Sequence, residues 1–268
     1  MKIAYIGYDI LYPCLEALDA AGCTVMEVFT CNTDNIYEFN HKVKAFAKTR
    51  GLPCHTERIT LDDIHRLRDN GCEAIFSAGY FYRVPIDHSL PIVNVHPAML
   101  PIGRGAWPMP TVILRGMHES GVTLHKMESD FDSGDILIQE SFPVTDKDDL
   151  ETMTDTICEI GARLCTEVVS RFRYYYDNAI PQGEHEYWDC PTKEDATITA
   201  DTSPADAERI LRAFLGFDCY LRISEDREIC IVRGRFSPIE HAMEFGTKWD
   251  SGSGEHGFAV NGGVILIP

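Results

Sequence analysis

The chain has 268 residues, with 42 Asp and Glu against 24 Lys and Arg, for a formal charge of −18 at neutral pH. A surface this acidic repels nucleic acid, whose phosphates are bound by concentrated Lys and Arg, and no basic patch stands out along the chain. No apolar run approaches the ~18 residues of a membrane helix. The amino terminus enters an apolar strand directly, with no signal peptide. The ten cysteines are scattered without a Cys-x-x-Cys pair, so reduced, mostly buried thiols in a cytoplasmic protein are expected.

In chain order, Lys2 to Tyr8 and Cys23 to Phe29 have the length and apolar content of strands, separated by a helix carrying Leu15 and Leu18. From Ile36 to Arg50, Phe39, Val43, Phe46 and Ala47 share a helical face that stops at Gly51. A short helix from Leu61 to Arg68 precedes the strand Ala74 to Ala78, and Ile92-Val93 opens another strand. Gly121 to Met127 and Ile136 to Gln139 follow as strands, then a long helix from Leu150 to Tyr175 with Ile157, Ile160, Leu164, Val168 and Phe172 at core spacing. The alternation predicts an α/β fold, a Rossmann-like, mostly parallel sheet with helices on both faces, over residues 1–182. Residues 183–200 read as a linker, in which Tyr187-Trp188 pack against a domain.

Residues 201–268 form a separate small unit. Ser203 caps and Pro204 starts a helix with Ala207, Ile210, Leu211 and Phe214 on one face, and Gly216 stops it. Cys219 to Ile223, Glu228 to Val232, Gly257 to Val260 and Val264 to Ile267 follow as strands, the last two joined at Asn261-Gly262. A small, mainly β module, OB-like or an open sheet, is expected. Dimerisation, closure of a substrate cleft and plain support stay open as its role.

The chemistry concentrates in the middle of the chain. Asn94 and His96 close a strand two residues apart, so both side chains emerge on one face at its end. The amide offers two N–H donors to a negative oxygen, and the imidazole donates to that oxygen or shuttles a proton. Asp132, in Asp132-Ser133-Gly134-Asp135, supplies a carboxylate that fixes the imidazole tautomer, raises its pKa or accepts a proton through water. Taken singly, each reads as a cap or turn residue.

Together, Asn-x-His at 94–96, Leu100-Pro101-x-x-Arg104-Gly105, Gly121-Val-Thr-Leu-His125-x-Met127 and Asp132-x-Gly134-Asp135-Ile136 resemble the 10-formyltetrahydrofolate-dependent formyltransferases, from residue 74 to residue 143. The resemblance implies Asn94, His96 and Asp132 as the catalytic trio. It also implies a folate pocket with one wall at Phe76 to Pro85, including Tyr80, Phe81, Tyr82, Arg83 and Val84, and the other at Glu128 to Asp132, including Ser129 and Asp130. The implied co-substrate is 10-formyltetrahydrofolate, with no metal. The implied reaction is formyl transfer to a primary amine, with Asn94 and His96 on the oxyanion and His96 with Asp132 as the proton conduit.

The acceptor is narrowed by three observations. Residues 201–268 hold seven Lys or Arg against eleven Asp or Glu, which counts against initiator tRNA. Gly7-Tyr8-Asp9-Ile10 lacks the Gly- and Ser-rich phosphate loop of the purine-pathway members. Thr123-Leu124-His125-x-Met127 and Phe76-Ser77 look most like the members acting on nucleotide-linked amino sugars. His125 itself reads as a strand histidine beside the sheet core, and Arg104 as a residue holding its own loop. A small amine substrate without nucleic acid or membrane is therefore expected, with a homodimer as one option. An amino acid, a hydroxylamine, a carrier-bound precursor, initiator tRNA, hydrolysis of the folate and folate binding alone are the alternatives.

Three apparent motifs are set aside. Gly252-x-Gly254-x-x-Gly257 matches the dinucleotide fingerprint but precedes a strand. Asp130-x-Asp132-x-Gly134 begins like a calcium loop with its glycine one place early. No His and Cys cluster has zinc spacing.

Overall fold

A computed structural model describes residues 1–268. In chain order it contains β1 (Lys2–Gly7), α1 (Tyr12–Ala20), β2 (Thr24–Phe29), α2 (His41–Arg50), β3 (Cys54–His55), α3 (Leu61–Asp69), β4 (Ala74–Ala78) and β5 (Ile92–His96). Next come β6 (Ile102–Arg104), α4 (Pro108–Leu114), β7 (Glu119–Lys126), β8 (Ile136–Pro143), α5 (Leu150–Ser170), α6 (Phe172–Asp177), β9 (Glu186–Tyr187) and β10 (Thr197–Ile198). The chain finishes with α7 (Pro204–Ala213), β11 (Cys219–Ser224), β12 (Arg227–Ile231), β13 (Arg235–Ser237), β14 (Lys248–Asp250), β15 (His256–Val260) and β16 (Gly263–Ile267). Two compact units emerge: residues 1–106, 120–142 and 154–188 form one, and residues 107–119, 143–153 and 189–268 the other.

The first unit is built on a seven-stranded sheet ordered β3-β2-β1-β4-β5-β7-β8. From β3 to β5 every pairing is parallel, and β7 then runs antiparallel to β5. This is the expected Rossmann-like α/β sheet. β1 is buried at Ile3, Ala4, Tyr5 and Ile6, as a central strand covered on both faces must be. Ala4, Ile6, Ile75 and Ile92 join Ile64 and Leu67 of α3 in one apolar cluster. Tyr5 belongs to the other face, where burial pushes its hydroxyl up and Cys14, Cys158 and Cys165 are its titratable neighbours. A Cβ on Gly161 would lie 3.1 Å from Cys14 Sγ and 3.4 Å from Val95 Cγ1, so α5 approaches the sheet closely at that point.

Two helix boundaries depart from the periodicity. The helix expected from Ile36 begins only at His41, because the Asp34 carboxylate accepts the amides of Ile36, Tyr37 and Glu38 and so closes a loop. Asn40 then donates to the Cys31 carbonyl at 2.6 Å from its side chain. The helix expected to run to Tyr175 ends at Ser170, where Arg171 (φ −142°) leaves helical geometry before α6 begins. Within the stretch read as a linker, β9 pairs with β6, and Trp188 is buried.

In the second unit, Ser203 Oγ accepts the amide of Asp206 and Pro204 occupies the first turn of α7, as anticipated. Its strands form a three-stranded sheet, β10-β11-β12, and a four-stranded one, β13-β16-β15-β14. The module is therefore strand-rich and open. Its two short strands β13 and β14 were not apparent in the sequence. Residues 261 and 262 close the β15–β16 hairpin with Gly262 at φ 69°, and the glycine-rich stretch 252–257 leads into β15 without opening a helix.

Of the ten free cysteines, six are buried. No helix is long and apolar enough to cross a membrane. Truncation of Ile75, fully buried at the sheet centre, is expected to cost about 2–5 kcal/mol because the cavity cannot fully collapse. Urea denaturation of Ile75→Ala against wild type measures this, and an unchanged midpoint would contradict the core assignment.

Candidate active site

Parallel strands present their carboxyl ends to ligands, and β5 ends in Asn94-Val95-His96. Register completes the arrangement: Asn94 stands opposite His125 and His96 opposite Thr123 on the antiparallel β7. The loop joining β7 to β8 brings in Asp132, whose backbone is left-handed at φ 50°. That conformation is uncommon outside glycine, Asn and Asp and costs of order 1 kcal/mol.

Around Asp132, one oxygen meets three nitrogens. Its Oδ1 lies 3.4 Å from Asn94 Nδ2, from His96 Nδ1 and from His125 Nε2. Its Oδ2 accepts the Gly105 amide at 3.0 Å. His96 Nε2 lies 2.8 Å from the Gly103 carbonyl, an acceptor only, so Nε2 carries the proton and Nδ1 presents a lone pair. His125 Nδ1 likewise donates to the Lys126 carbonyl at 2.7 Å, which leaves its Nε2 to accept from Asn94 Nδ2 at 3.2 Å. With two acceptors on its amide nitrogen, Asn94 has a single sensible orientation.

The charge states follow from these contacts. Burial pushes the His96 imidazole down, further than the adjacent carboxylate raises it, so the ring is neutral at pH 7. Burial alone would raise Asp132, but the surrounding imidazoles and the Gly105 amide outweigh it and hold the carboxyl well below the ordinary range. At neutral pH the cluster is thus a carboxylate beside a neutral His96 ring. It has a fixed acceptor, directed N–H donors and an imidazole lone pair beside a negative charge, which suits proton transfer without a net charge change.

The segment after β4 and the loop after β7 meet at one place, where the Arg83 guanidinium lies over the Phe131 ring at 5.1 Å from its centroid. His88 Nε2 and Glu128 Oε2 approach to 3.8 Å nearby. Phe81 is half exposed and stacks on Tyr8 at 5.1 Å, Tyr8 stacks on Tyr80 at 5.9 Å, and Arg58 covers Tyr82 at 4.0 Å. Tyr80 Oη lies 3.3 Å from Cys31 Sγ. Val84 turns into the apolar cluster with Leu90 and Ile92. Ser129 and Asp130 are exposed on the loop before Phe131, with Ser133 Oγ donating to the Asp130 carbonyl. An open aromatic ledge with two arginines thus adjoins the polar cluster. No group of three or more His, Cys, Asp or Glu residues is arranged to hold a metal ion. A groove of about 420 Å³ lined by Met1, Glu73 and Arg171–Tyr174 opens at the amino ends of β1 and β4, away from these residues.

Sequence reasoning placed Asn94, His96 and Asp132 at the site and missed four contributors. The Gly103 carbonyl and the Gly105 amide act through the backbone, which no side-chain pattern reports. His125, read as a core histidine, is buried but bonded into the cluster. Gln182 reaches the Asp132 loop from 50 residues away with no motif around it.

The family described as Formyl transferase matches residues 70–169. The methionyl-tRNA formyltransferase of Acidiphilium cryptum is 30% identical over 227 residues, covering 80% of this chain and 74% of the relative. That of Ehrlichia ruminantium (strain Gardel) is 28% identical over 150 residues, covering 54% and 48%. The chain therefore spans between about half and three quarters of these relatives' lengths. Among solved structures, the N-formyltransferase from Helicobacter canadensis in complex with folinic acid and dTDP-3-aminofucose superposes with TM-score 0.68 at 17% identity, covering 99% of this chain and 98% of that one. HypX from Aquifex aeolicus in complex with tetrahydrofolic acid gives 0.71 at 15% identity, over 100% of this chain and 43% of that one. The chain belongs to the formyltransferase family of formyl-transferring enzymes.

The low Asp132 pKa has a consequence for stability. Its contribution is present above the unfolded value of about 3.9 and is lost as pH falls through the folded value. The stability gap between wild type and Asp132→Asn is expected to be full at pH 5–7 and to shrink below about pH 4. Urea titrations across that range measure it, and a gap independent of pH would show that Asp132 is not held in the charged form.

Proposed function

We propose that this protein transfers the formyl group of 10-formyltetrahydrofolate to a primary amine of a small substrate, and that the substrate is a nucleotide-linked amino sugar. The observation that carries the transfer chemistry is the Asp132 cluster, a buried carboxylate ringed by Asn94, His96 and His125 beside an open aromatic ledge.

The ledge has the chemistry a folate requires. Exposed Phe81 and Phe131 offer faces to flat rings, while Arg58 and Arg83 offer charge to an anionic tail. The bound folate supplies a formyl carbon activated on N10. Asn94 donates an N–H to the formyl oxygen as it takes on negative charge. Its contacts to His125 and Asp132, at 3.2 and 3.4 Å, are long enough for one N–H to turn to that oxygen. Such a donor is worth roughly 3 kcal/mol in the transition state. His96 Nδ1 takes the proton leaving the amine, because the imidazolium formed there faces Asp132 Oδ1. The same Nδ1 returns the proton to the leaving nitrogen. His96 is thereby assigned to the proton, since both its ring nitrogens already face protein groups.

Two observations support the acceptor. The Helicobacter canadensis enzyme complexed with dTDP-3-aminofucose shares this chain's fold over 99% of its residues. The charge of −18 disfavours a polyanion such as tRNA and leaves room for a nucleotide held by a few local cations.

Incubation with 10-formyltetrahydrofolate and a panel of dTDP- and UDP-linked amino sugars, amino acids, hydroxylamine and initiator tRNA tests the reading. Formylation of a nucleotide amino sugar is the expected result. Exclusive formylation of tRNA would overturn the acceptor, and formate release independent of any amine would turn the protein into a hydrolase. In the same assay Asn94→Ala is expected to lower kcat by about 10²–10³-fold. His96→Ala and Asp132→Ala are each expected to lower it by at least about 10²-fold. Full activity in any one of them removes that residue from the mechanism.

A further inference from the structure

We infer that Gln182, braced by Arg104, is a positioning residue that holds the Asp132 carboxylate in its working place. The inference rests on the function proposed above and adds a residue that no motif identifies.

A left-handed residue in a tight loop turns its neighbouring carbonyls away from ladder partners. At Asp132 the side-chain amide of Gln182 supplies the missing donors, with Nε2 donating to the Asp132 carbonyl at 2.8 Å and to the Gly134 carbonyl at 2.6 Å. Both hydrogens of one amide are therefore spent on the two carbonyls that bracket Ser133. Its Oε1 in turn accepts Arg104 Nε at 2.9 Å, and Arg104 is nine-tenths buried.

Arg104 lies between two backbone groups that touch the cluster. The Gly103 carbonyl accepts from His96, and the Gly105 amide donates to Asp132. The pair Arg104–Gln182 thus ties β6 and the following Gly105, whose backbone groups hold His96 and Asp132, to the loop that carries Asp132. The segment bearing Gln182 is itself anchored on either side. Ile180 and Ile136 exchange two backbone hydrogen bonds of 2.8 Å, and the Trp188 amide donates to the Arg104 carbonyl at 2.7 Å. Gln182, the last residue expected in the first domain, and Trp188, in the stretch read as a linker, in this way frame the Asp132 loop. Gly134 closes the arrangement, since a Cβ there would meet the Lys126 carbonyl at 2.0 Å and the loop has no slack to reposition itself.

Gln182→Met keeps the volume and deletes both donors, while Gln182→Glu keeps the acceptor for Arg104 and deletes the donors. Each is expected to lower kcat on the order of 10²-fold, as displacement of a catalytic group by about 1 Å does, with KM for both substrates close to wild type. Displaced from His96 Nδ1, the Asp132 carboxylate no longer raises the imidazole, so the acid limb of the kcat/KM profile, which reports the His96 base, moves to lower pH. Arg104→Lys, which keeps a donor, is expected to retain more activity than Arg104→Met. The ligand-free protein offers a second readout, in which the Gly105 amide resonance loses the low-field position that a bond to a carboxylate confers. Wild-type kcat with an unmoved Gly105 resonance in the Gln182 variants overturns the inference. Lower kcat accompanied only by a lower Tm, with the acid limb and resonance in place, overturns it equally. Should wild type transfer no formyl group to any amine of the panel, the functional reading fails, and the Gly105 resonance still decides whether Gln182 positions Asp132.

Discussion

The site depends on keeping one carboxylate charged inside a largely apolar sheet. The Asp132 side chain is only 12% exposed, and a bare charge at that depth would protonate before it served as an acceptor. The Gly105 amide and the Asn94 amide replace the lost hydration. The local fold around this point follows from that need. The left-handed turn aims the side chain inward, Gly105 just after β6 presents a backbone amide to it, and the antiparallel β7 brings a second histidine to it.

The same arrangement explains why His96 is left neutral. Burial opposes a second charge, and the ring meets its surroundings through one committed N–H and one lone pair. A base must be unprotonated to accept a proton, and its conjugate acid must be welcome once formed. In the proposed mechanism burial supplies the first condition and Asp132 the second, since its carboxylate stabilises the imidazolium once formed. In that proposed mechanism Asn94 answers a different demand, the charge that develops on oxygen, and its orientation is set by the acceptors His125 Nε2 and Asp132 Oδ1.

What could be read from the sequence was whatever is carried by side chains in register. The strand periodicity around Ile75 and Ile92 placed the sheet, and the two-residue spacing of Asn94 and His96 placed the pair at a strand end. Ser203-Pro204 located the last helix through capping chemistry that acts over one turn. Readings failed where a distant or backbone group decided the outcome. Asp34 unwinds the expected start of α2 by capturing three amides, and Arg171 interrupts a helix whose apolar spacing continues through it. Gln182 sits in a stretch whose composition says only loop. His125 was seen but assigned to the core, since burial and participation look alike until the partner across the ladder is known.

That ladder has an evolutionary implication. Asn94 and His125 are neighbours because β5 and β7 hydrogen-bond directly, so their separation is fixed by backbone pairing and not by the length of chain between them. Residues 106–118, which lie between those strands beyond the Gly103 and Gly105 contacts, therefore do not set that separation by their length, although the buried helix α4 within them is constrained by its own packing. A lineage can vary the length of that connection at its exposed ends while inheriting the Asn94–His125 pairing intact.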